Sequence, residues 1–234
     1  MVRSLRIKEE DKMSNYAIQG EGLTKIYQRG SEKLYALKEV NFQISPGEIV
    51  SIVGRSGSGK TTLLNMIGCL DTLSEGTLHI GDIEVSKLKE KDLIKVRREN
   101  IGFVFQLFYL IPTLTAYENA LLPLLFARRL DKKEKVKEIF QKVGLGERLN
   151  MLPSELDGGD MQRIAIARAL VNEPEIILAD EPTGRLESKS KENIFGLFKK
   201  LAEEGLAIVI ATHDLDLASR ADRIIRLKDG MVIN

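Results

Sequence analysis

The stretch Glu48-Ile49-Val50-Ser51-Ile52-Val53-Gly54-Arg55-Ser56-Gly57-Ser58-Gly59-Lys60-Thr61-Thr62 decides the reading of this chain. Its opening, Glu48–Val53, is mostly apolar and β-branched, the pattern of a buried strand. Gly54–Thr61 then follows the spacing G-x-x-x-x-G-K-T of a phosphate-binding loop set between a strand and a helix. Glycines let the backbone wrap closely, so successive N–H groups point at phosphate oxygens. A helix beginning near Gly59 aims its positive end at the same anion. Lys60 supplies a point charge to the β- and γ-phosphates, and the Thr61 hydroxyl can ligate Mg²⁺. A glycine-rich turn that matches by chance is the alternative. The strand pattern before the loop and the helical pattern after it weigh against that.

Three further runs read as buried strands: Ile101–Phe105, Ile176–Ala179 and Ala207–Ala211. They alternate with longer amphipathic segments, which predicts βαβ units and a mostly parallel sheet in an α/β fold. In such sheets ligands bind outside the carboxyl ends of the strands. Asp180 and Glu181 follow one of these ends. Asp180 can hold Mg²⁺, and Glu181 can act as general base toward an attacking water. An acid-rich helix start is the alternative for this pair. Gln106 follows another strand, where its neutral amide can bond a metal-bound or attacking water; a polar strand cap is the other reading. His213 follows the last and can donate to a γ-phosphate, although a lone histidine is often structural. His79 sits in a hairpin and reads as structural.

Two hairpins show on either side of turn signals. Leu78–Ile80 and Ile83–Val85 flank Gly81-Asp82, and Ile224–Leu227 and Met231–Ile233 flank Asp229-Gly230. An antiparallel accessory sheet beside the parallel core is expected. From about Leu114 to Arg168 the spacing is helical with few β-branched runs, which predicts a helical subdomain inserted in the core.

The chain has 234 residues, 43% hydrophobic and 29% charged, an ordinary globular balance. Its 35 Lys and Arg nearly match its 34 Asp and Glu, so charge gives no support for a nucleic-acid partner. The single cysteine, Cys69, excludes an intrachain disulfide and a multi-Cys zinc site, and fits a reducing cytosol. No apolar run approaches the ~20 residues of a membrane span. Residues 1–13 read as a charged, disordered tail with no secretory h-region, and Met13 is a second candidate start.

In chain order, the phosphate loop, Gln106, Leu156-Asp157-Gly158-Gly159-Asp160, Asp180-Glu181 and His213 resemble the ATP-binding subunits of ABC transporters. The resemblance runs from about residue 14 to the end, as a single ATP-binding domain with the helical subdomain over about 107–168. Ile67-Gly68-Cys69-Leu70-Asp71 and the stretches Phe103–Pro112 and Leu114–Asn119 look like the lipoprotein-release and macrolide-export branch, close to the cell-division ATPase. The resemblance implies a P-loop NTPase core that binds ATP and Mg²⁺. Thr61, Gln106 and Asp180 would serve the metal, and Glu181, Gln106 and His213 the hydrolysis. Gly54, Arg55, Ser56, Gly57, Ser58, Gly59, Lys60, Thr61 and Thr62 would hold phosphates, and Tyr27 would stack on adenine. It implies a head-to-tail dimer in which the signature, Asp157, Gly158, Gly159 and Asp160, meets the nucleotide of a second ATP-binding subunit. It also implies a membrane permease whose short helix docks behind Gln106, and a place on the cytoplasmic face of the membrane.

Two departures concern that second subunit. The family signature reads Leu-Ser-Gly-Gly-Gln, and its serine donates to the γ-phosphate. A carboxylate at position 157 cannot donate unless protonated. Two unit charges ~4 Å apart at an effective dielectric of ~20 repel by roughly 4 kcal/mol, against about 1 kcal/mol for a lost hydrogen bond. Repulsion is the larger effect, and Asp160 is expected to add to it. Asp157 still suits a helix start, because aspartate is a good N-cap. The second departure is Gly184-Arg185-Leu186-Glu187, where the family usually has Gly-x-Leu-Asp.

The resemblance implies an ATPase that powers a permease, leaning toward export or extraction from the membrane. A regulatory ATP-binding partner of a membrane protein, as in cell division, is the alternative. Soluble ABC ATPases of DNA repair or translation usually carry two cassettes or long insertions, which this chain lacks. Slow hydrolysis is expected of the chain alone. Asp157→Ser with Asp160→Gln should raise its steady-state rate by about tenfold or more, equivalent to about 1.4 kcal/mol off the barrier.

Overall fold

The computed structural model describes residues 15–233, so the expected tail over 1–13 lies outside the described residues. β1 (Ile18–Arg29) and β2 (Glu32–Ile44) form a long hairpin. β3 (Ile49–Val53) leads through the phosphate loop into α1 (Lys60–Ile67). The short pair β4 (Glu75–Ile80) and β5 (Ile83–Glu84) follows, then α2 (Glu90–Asn100) and β6 (Ile101–Phe105). α3 (Ala116–Phe126), α4 (Glu134–Lys142) and α5 (Gly158–Leu170) precede β7 (Ile176–Asp180). The order ends with α6 (Ser188–Glu203), β8 (Ala207–Thr212), α7 (Leu215–Ala218), β9 (Arg223–Lys228) and β10 (Met231–Ile233).

The strands make two sheets. One has four antiparallel strands in the order β2-β1-β4-β5, and the other six in the order β10-β9-β3-β8-β7-β6. All neighbours in the larger sheet are parallel except β10 on β9. Strands covered on both faces read as continuous apolar runs, and β3 and β8 are buried along their whole lengths.

Period-two alternation then divides each strand between two cores. Val50, Ile52, Leu178 and Val209 pack with α1 and the four-stranded sheet. Ile49, Ile177, Ile208 and Ile210 pack with α5, α6 and the helices inserted between β6 and β7.

The structure corrects the sequence reading in three places. The second hairpin does not join the accessory sheet. Its β9 pairs parallel with β3, so the hairpin extends the core sheet. Val85 is not in a strand but begins a 3-10 turn over Val85–Lys87. The long β1–β2 hairpin was not foreseen, because register shifts between Gly20 and Ile26 break the alternation that marks a strand.

The inserted helices share the core on the α5 and α6 side. Phe140 of α4 is fully buried among them. Phe140→Ala should lower the free energy of unfolding by about 3–5 kcal/mol through the cavity it opens. Urea denaturation followed by far-ultraviolet circular dichroism would measure the loss.

Candidate functional site

The register of the larger sheet aligns four strand ends. Val53 lies opposite Thr212, Ala211 opposite Asp180, and Asp180 opposite Phe105. The residues that follow therefore emerge side by side: Gly54, Gln106, Glu181 and His213. The last three open into a cavity of about 740 Å³ lined by Tyr27, Ser56, Gly57, Gly59, Lys60, Thr61, Thr62, Gln106, Asp180, Glu181 and His213, among others.

Gly59 makes the turn from loop to helix with φ 106°, and a Cβ there would lie 2.7 Å from the Ala36 carbonyl oxygen. Only glycine suits both conditions. Lys60 Nζ donates to the carbonyls of Gly54 at 2.8 Å and Arg55 at 3.3 Å, which holds the ammonium within the loop. Gly54, Arg55 and Ser58 do not line the cavity. Ser58 instead ties the loop to the C-terminal hairpin, accepting from Gly230 N at 3.1 Å.

Asp180 and Glu181 stand at the mouth of β7. Thr61 Oγ1 donates to Asp180 Oδ2 at 3.4 Å, joining the start of α1 to this strand end. Burial, then the neighbouring Glu181 charge, push the Asp180 carboxyl above the usual aspartate range. A bound cation would oppose both effects.

Glu181 has φ 48°, a left-handed conformation that costs a non-glycine residue about 1–3 kcal/mol. Hydrogen bonds hold it there, among them one from Gly184 N to its carbonyl at 3.1 Å. Its N–H donates to Ala211 O at 2.9 Å. Its Oε2 accepts from Thr212 Oγ1 at 3.0 Å, and its Oε1 accepts from His213 N at 2.9 Å and faces His213 Nδ1 at 2.7 Å. The strained backbone turns this carboxylate toward His213 at the cavity wall. Gln106 is half-buried against Gly184, where a Cβ would sit 2.6 Å from Gln106 Nε2.

Behind Gln106 the chain is pinned by Asn119, which is fully buried. Asn119 Oδ1 accepts from Ile111 N at 2.7 Å, and Nδ2 donates to Leu114 O at 2.9 Å.

Among the members of the site that sequence reasoning missed are Tyr35 and Thr212. Tyr35 lines the cavity from β2, and its signal was lost with that of the hairpin. Thr212 braces Glu181, and only its position at a strand end could have pointed to it.

The signature is elsewhere: Asp157, Gly158, Gly159 and Asp160 do not line this cavity. Asp157 caps α5, accepting from Asp160 N at 2.7 Å, and its side chain is on the surface. A Cβ on Gly158 would touch Leu186, and one on Gly159 would meet Ser190 Oγ at 2.9 Å. The two unusual segments of the sequence are thus neighbours in space.

Asp160 departs from expectation. It is 1% exposed, with Oδ2 2.5 Å from Arg148 Nη1 and Oδ1 bonded by Arg163. Its charge is balanced inside the chain and does not add to the repulsion assigned to it above, which rests on Asp157 alone.

Comparison with known proteins identifies the family. A family model described as ABC transporter matches residues 37–184. The uncharacterized ABC transporter ATP-binding protein MJ0796 of Methanocaldococcus jannaschii is 52% identical over 217 residues, spanning 90% of this chain and 92% of that protein. The macrolide export ATP-binding/permease protein MacB of Shewanella sp. (strain ANA-3) is 45% identical over 210 residues, spanning 89% of this chain and 32% of MacB. A dimeric structure of MJ0796, described as a bacterial ABC transporter cassette, superposes with TM-score 0.82 at 49% identity, covering 93% of this chain and 97% of that chain. A dimeric post-hydrolysis state of MJ0796 bound to ADP and Pi superposes with TM-score 0.80 at 47% identity, over the same shares. Fold, motif order and family match together define an ABC ATPase cassette. The chain belongs to the ABC transporter family, in the branch that holds MJ0796 and the MacB-type ATPases.

The corrected role of Asp160 separates the two signature aspartates. Asp157→Ser alone should raise ATP turnover by about tenfold. Asp160→Gln should leave turnover no higher and destabilise the fold by about 2 kcal/mol, because it removes the buried carboxylate that Arg163 and the more exposed Arg148 share. Parallel rate measurements and urea melts on both variants would show the split.

Proposed function

We propose that this chain is the ATP-hydrolysing subunit of a membrane transport or extraction system, working as a dimer of cassettes that clamps Mg-ATP and drives a permease. The observation that carries the reading is the convergence of Lys60, Thr61, Gln106, Asp180, Glu181 and His213 on one cavity at aligned strand ends. The dimers of MJ0796 and the fused permease of MacB support the two partners.

The phosphate loop and Lys60 hold the triphosphate, and Tyr27 offers its ring to the adenine. Thr61, Asp180 and Gln106 supply hard oxygen donors that fit Mg²⁺, with positions left for phosphate oxygens and water. Mg²⁺ held by these residues would supply positive charge against the triphosphate. Glu181 accepts the proton of the attacking water, with its orientation set by Thr212 and His213. His213 is well exposed on its other side and can turn to the γ-phosphate.

Residues 14–234 act as one ATP-binding domain. The helical segment over about 107–168 is a subdomain that presents the signature to a second cassette. The exposed Leu107, Tyr109 and Ile111 behind Gln106 form a seat for a short helix of the permease. No helix of the described residues is long and apolar enough to cross a membrane. Docked on that permease, the chain lies on the cytoplasmic face of the membrane. The macrolide-export relatives favour export or extraction as the direction of work.

A second reading concerns the partner cassette. Asp157 is an exposed carboxylate at the surface that would face another nucleotide. This favours an asymmetric pair, in which the chain's own phosphate loop meets a serine-bearing signature on a different subunit.

Steady-state ATPase rate against protein concentration tests both readings. A clear rate rising more than linearly establishes a working homodimer. A flat rate near zero with intact ATP binding, restored by adding a cassette with an uncharged signature, establishes the asymmetric pair. Loss of ATP binding itself would overturn the proposal.

A further inference from the structure

Beneath the exposed ring of Tyr27 lies a cluster of Lys25, Asp71 and Thr72 to which the site described above gives no role. Tyr27 Oη donates to Asp71 Oδ2 at 2.7 Å. The other oxygen of that carboxylate accepts from Lys25 Nζ at 2.5 Å and from Thr72 N at 2.7 Å. Lys25 is 8% exposed, donates also to Thr72 O at 2.6 Å, and holds its ammonium 5.0 Å from the Tyr27 ring centroid.

Protonation states favour the arrangement. Burial pushes the Asp71 carboxyl up, but the bonds from Lys25, Tyr27 and Thr72 bring it below its ordinary value. Burial, then the Asp71 carboxylate, raise the Tyr27 phenol. Around neutral pH the carboxylate is charged and the phenol keeps the proton it donates.

The cluster is poorly explained as core support. Tyr27 is 39% exposed, with its ring on the cavity wall, the Lys25 ammonium at that ring and its hydroxyl held by Asp71 and Thr62. A ring contributing only burial needs no such tether. The tether also reaches a useful place. Asp71 follows α1, and its N–H donates to Asn65 O at 3.2 Å in that helix. Lys60 and Thr61 open the same helix. One short rigid element therefore fixes the distance between the phosphate clamp and the aromatic wall.

We propose that Asp71 is a positioning residue for the nucleoside base: it holds the Tyr27 ring in the one orientation that makes it a wall for the purine of the bound triphosphate. The inference rests on the reading of Tyr27 as the base-stacking residue. A free phenol ring samples several rotamers, and a ligand that must first order it binds more weakly. Asp71 removes that step before the nucleotide arrives. Its effect belongs to the base alone and not to the phosphates.

The test compares two ligands by titration calorimetry on the full chain: ATP, and inorganic tripolyphosphate as the phosphate-only probe. Tyr27→Leu should bring ATP affinity close to that of tripolyphosphate. Tyr27→Phe and Asp71→Asn should each weaken ATP binding by about five- to tenfold while tripolyphosphate binding holds, as for loss of one charge-assisted bond. The double variant should be no worse than either single one, because both remove the same contact. If Tyr27→Leu leaves ATP affinity unchanged, the stacking reading fails and the proposal falls with it. If Tyr27→Leu weakens ATP but Tyr27→Phe and Asp71→Asn do not, Tyr27 stands and Asp71 is overturned. If Asp71→Asn weakens both ligands equally, the cluster is structural and the proposal is overturned.

Discussion

The hydrogen-bonded parallel ladder of β6, β7, β8 and β3 is the constraint on which the rest depends. Each of these strands faces two apolar cores, so its odd and even residues serve different packing partners. A slip of one residue would exchange the two sets. Packing on both faces therefore locks the register, and the locked register aligns the strand ends. Gln106, Glu181 and His213 come together because each is the first residue past an aligned strand. Their loops need not search for one another. The same burial that stabilises the sheet positions the chemistry.

At that line of ends the protein tolerates both strain and charge. Glu181 sits at positive φ and beside Asp180, whose carboxyl is pushed up by burial and by this neighbour. Thr212, His213 and the Ala211 carbonyl brace Glu181 against relaxation. Such over-determined strain is typical of sites organised before the ligand arrives. The signature end of the molecule is organised differently. Asp157 satisfies the N-terminus of α5 and leaves its charge on the surface, whereas Asp160 is drawn inward between Arg148 and Arg163. The helix start is well capped, and it leaves one carboxylate on the surface and one inside. Gly158 against Leu186 and Gly159 against Ser190 link this helix start to the unusual Gly184–Glu187 segment.

Much of the fold and of the candidate site is legible along the chain. Short β-branched runs marked β3, β6, β7 and β8 to within a residue, because strands buried on both faces leave a continuous apolar signal. The phosphate loop was legible because its glycines and lysine are local requirements of one turn. The β1–β2 hairpin was not, since its bulges interrupt the alternation, and Tyr35 was lost with it. The second hairpin was seen, but its sheet was not. A turn signal specifies two strands and says nothing of the third strand they pair with.

By itself the sequence determined the chemistry of each segment: which residues can cradle phosphate, hold a cation, take a proton or cap a helix. Those properties depend on residue type and near neighbours. Tertiary structure decided what each charge experiences. Asp157 and Asp160 sit in one short motif, yet one is exposed and the other is neutralised by Arg148. Lys25, Tyr27 and Asp71 form one cluster although the carboxylate lies far along the chain. The energy of a charge is set by burial and by partners within a few ångströms. Those partners are brought there by packing between elements, which local periodicity does not encode.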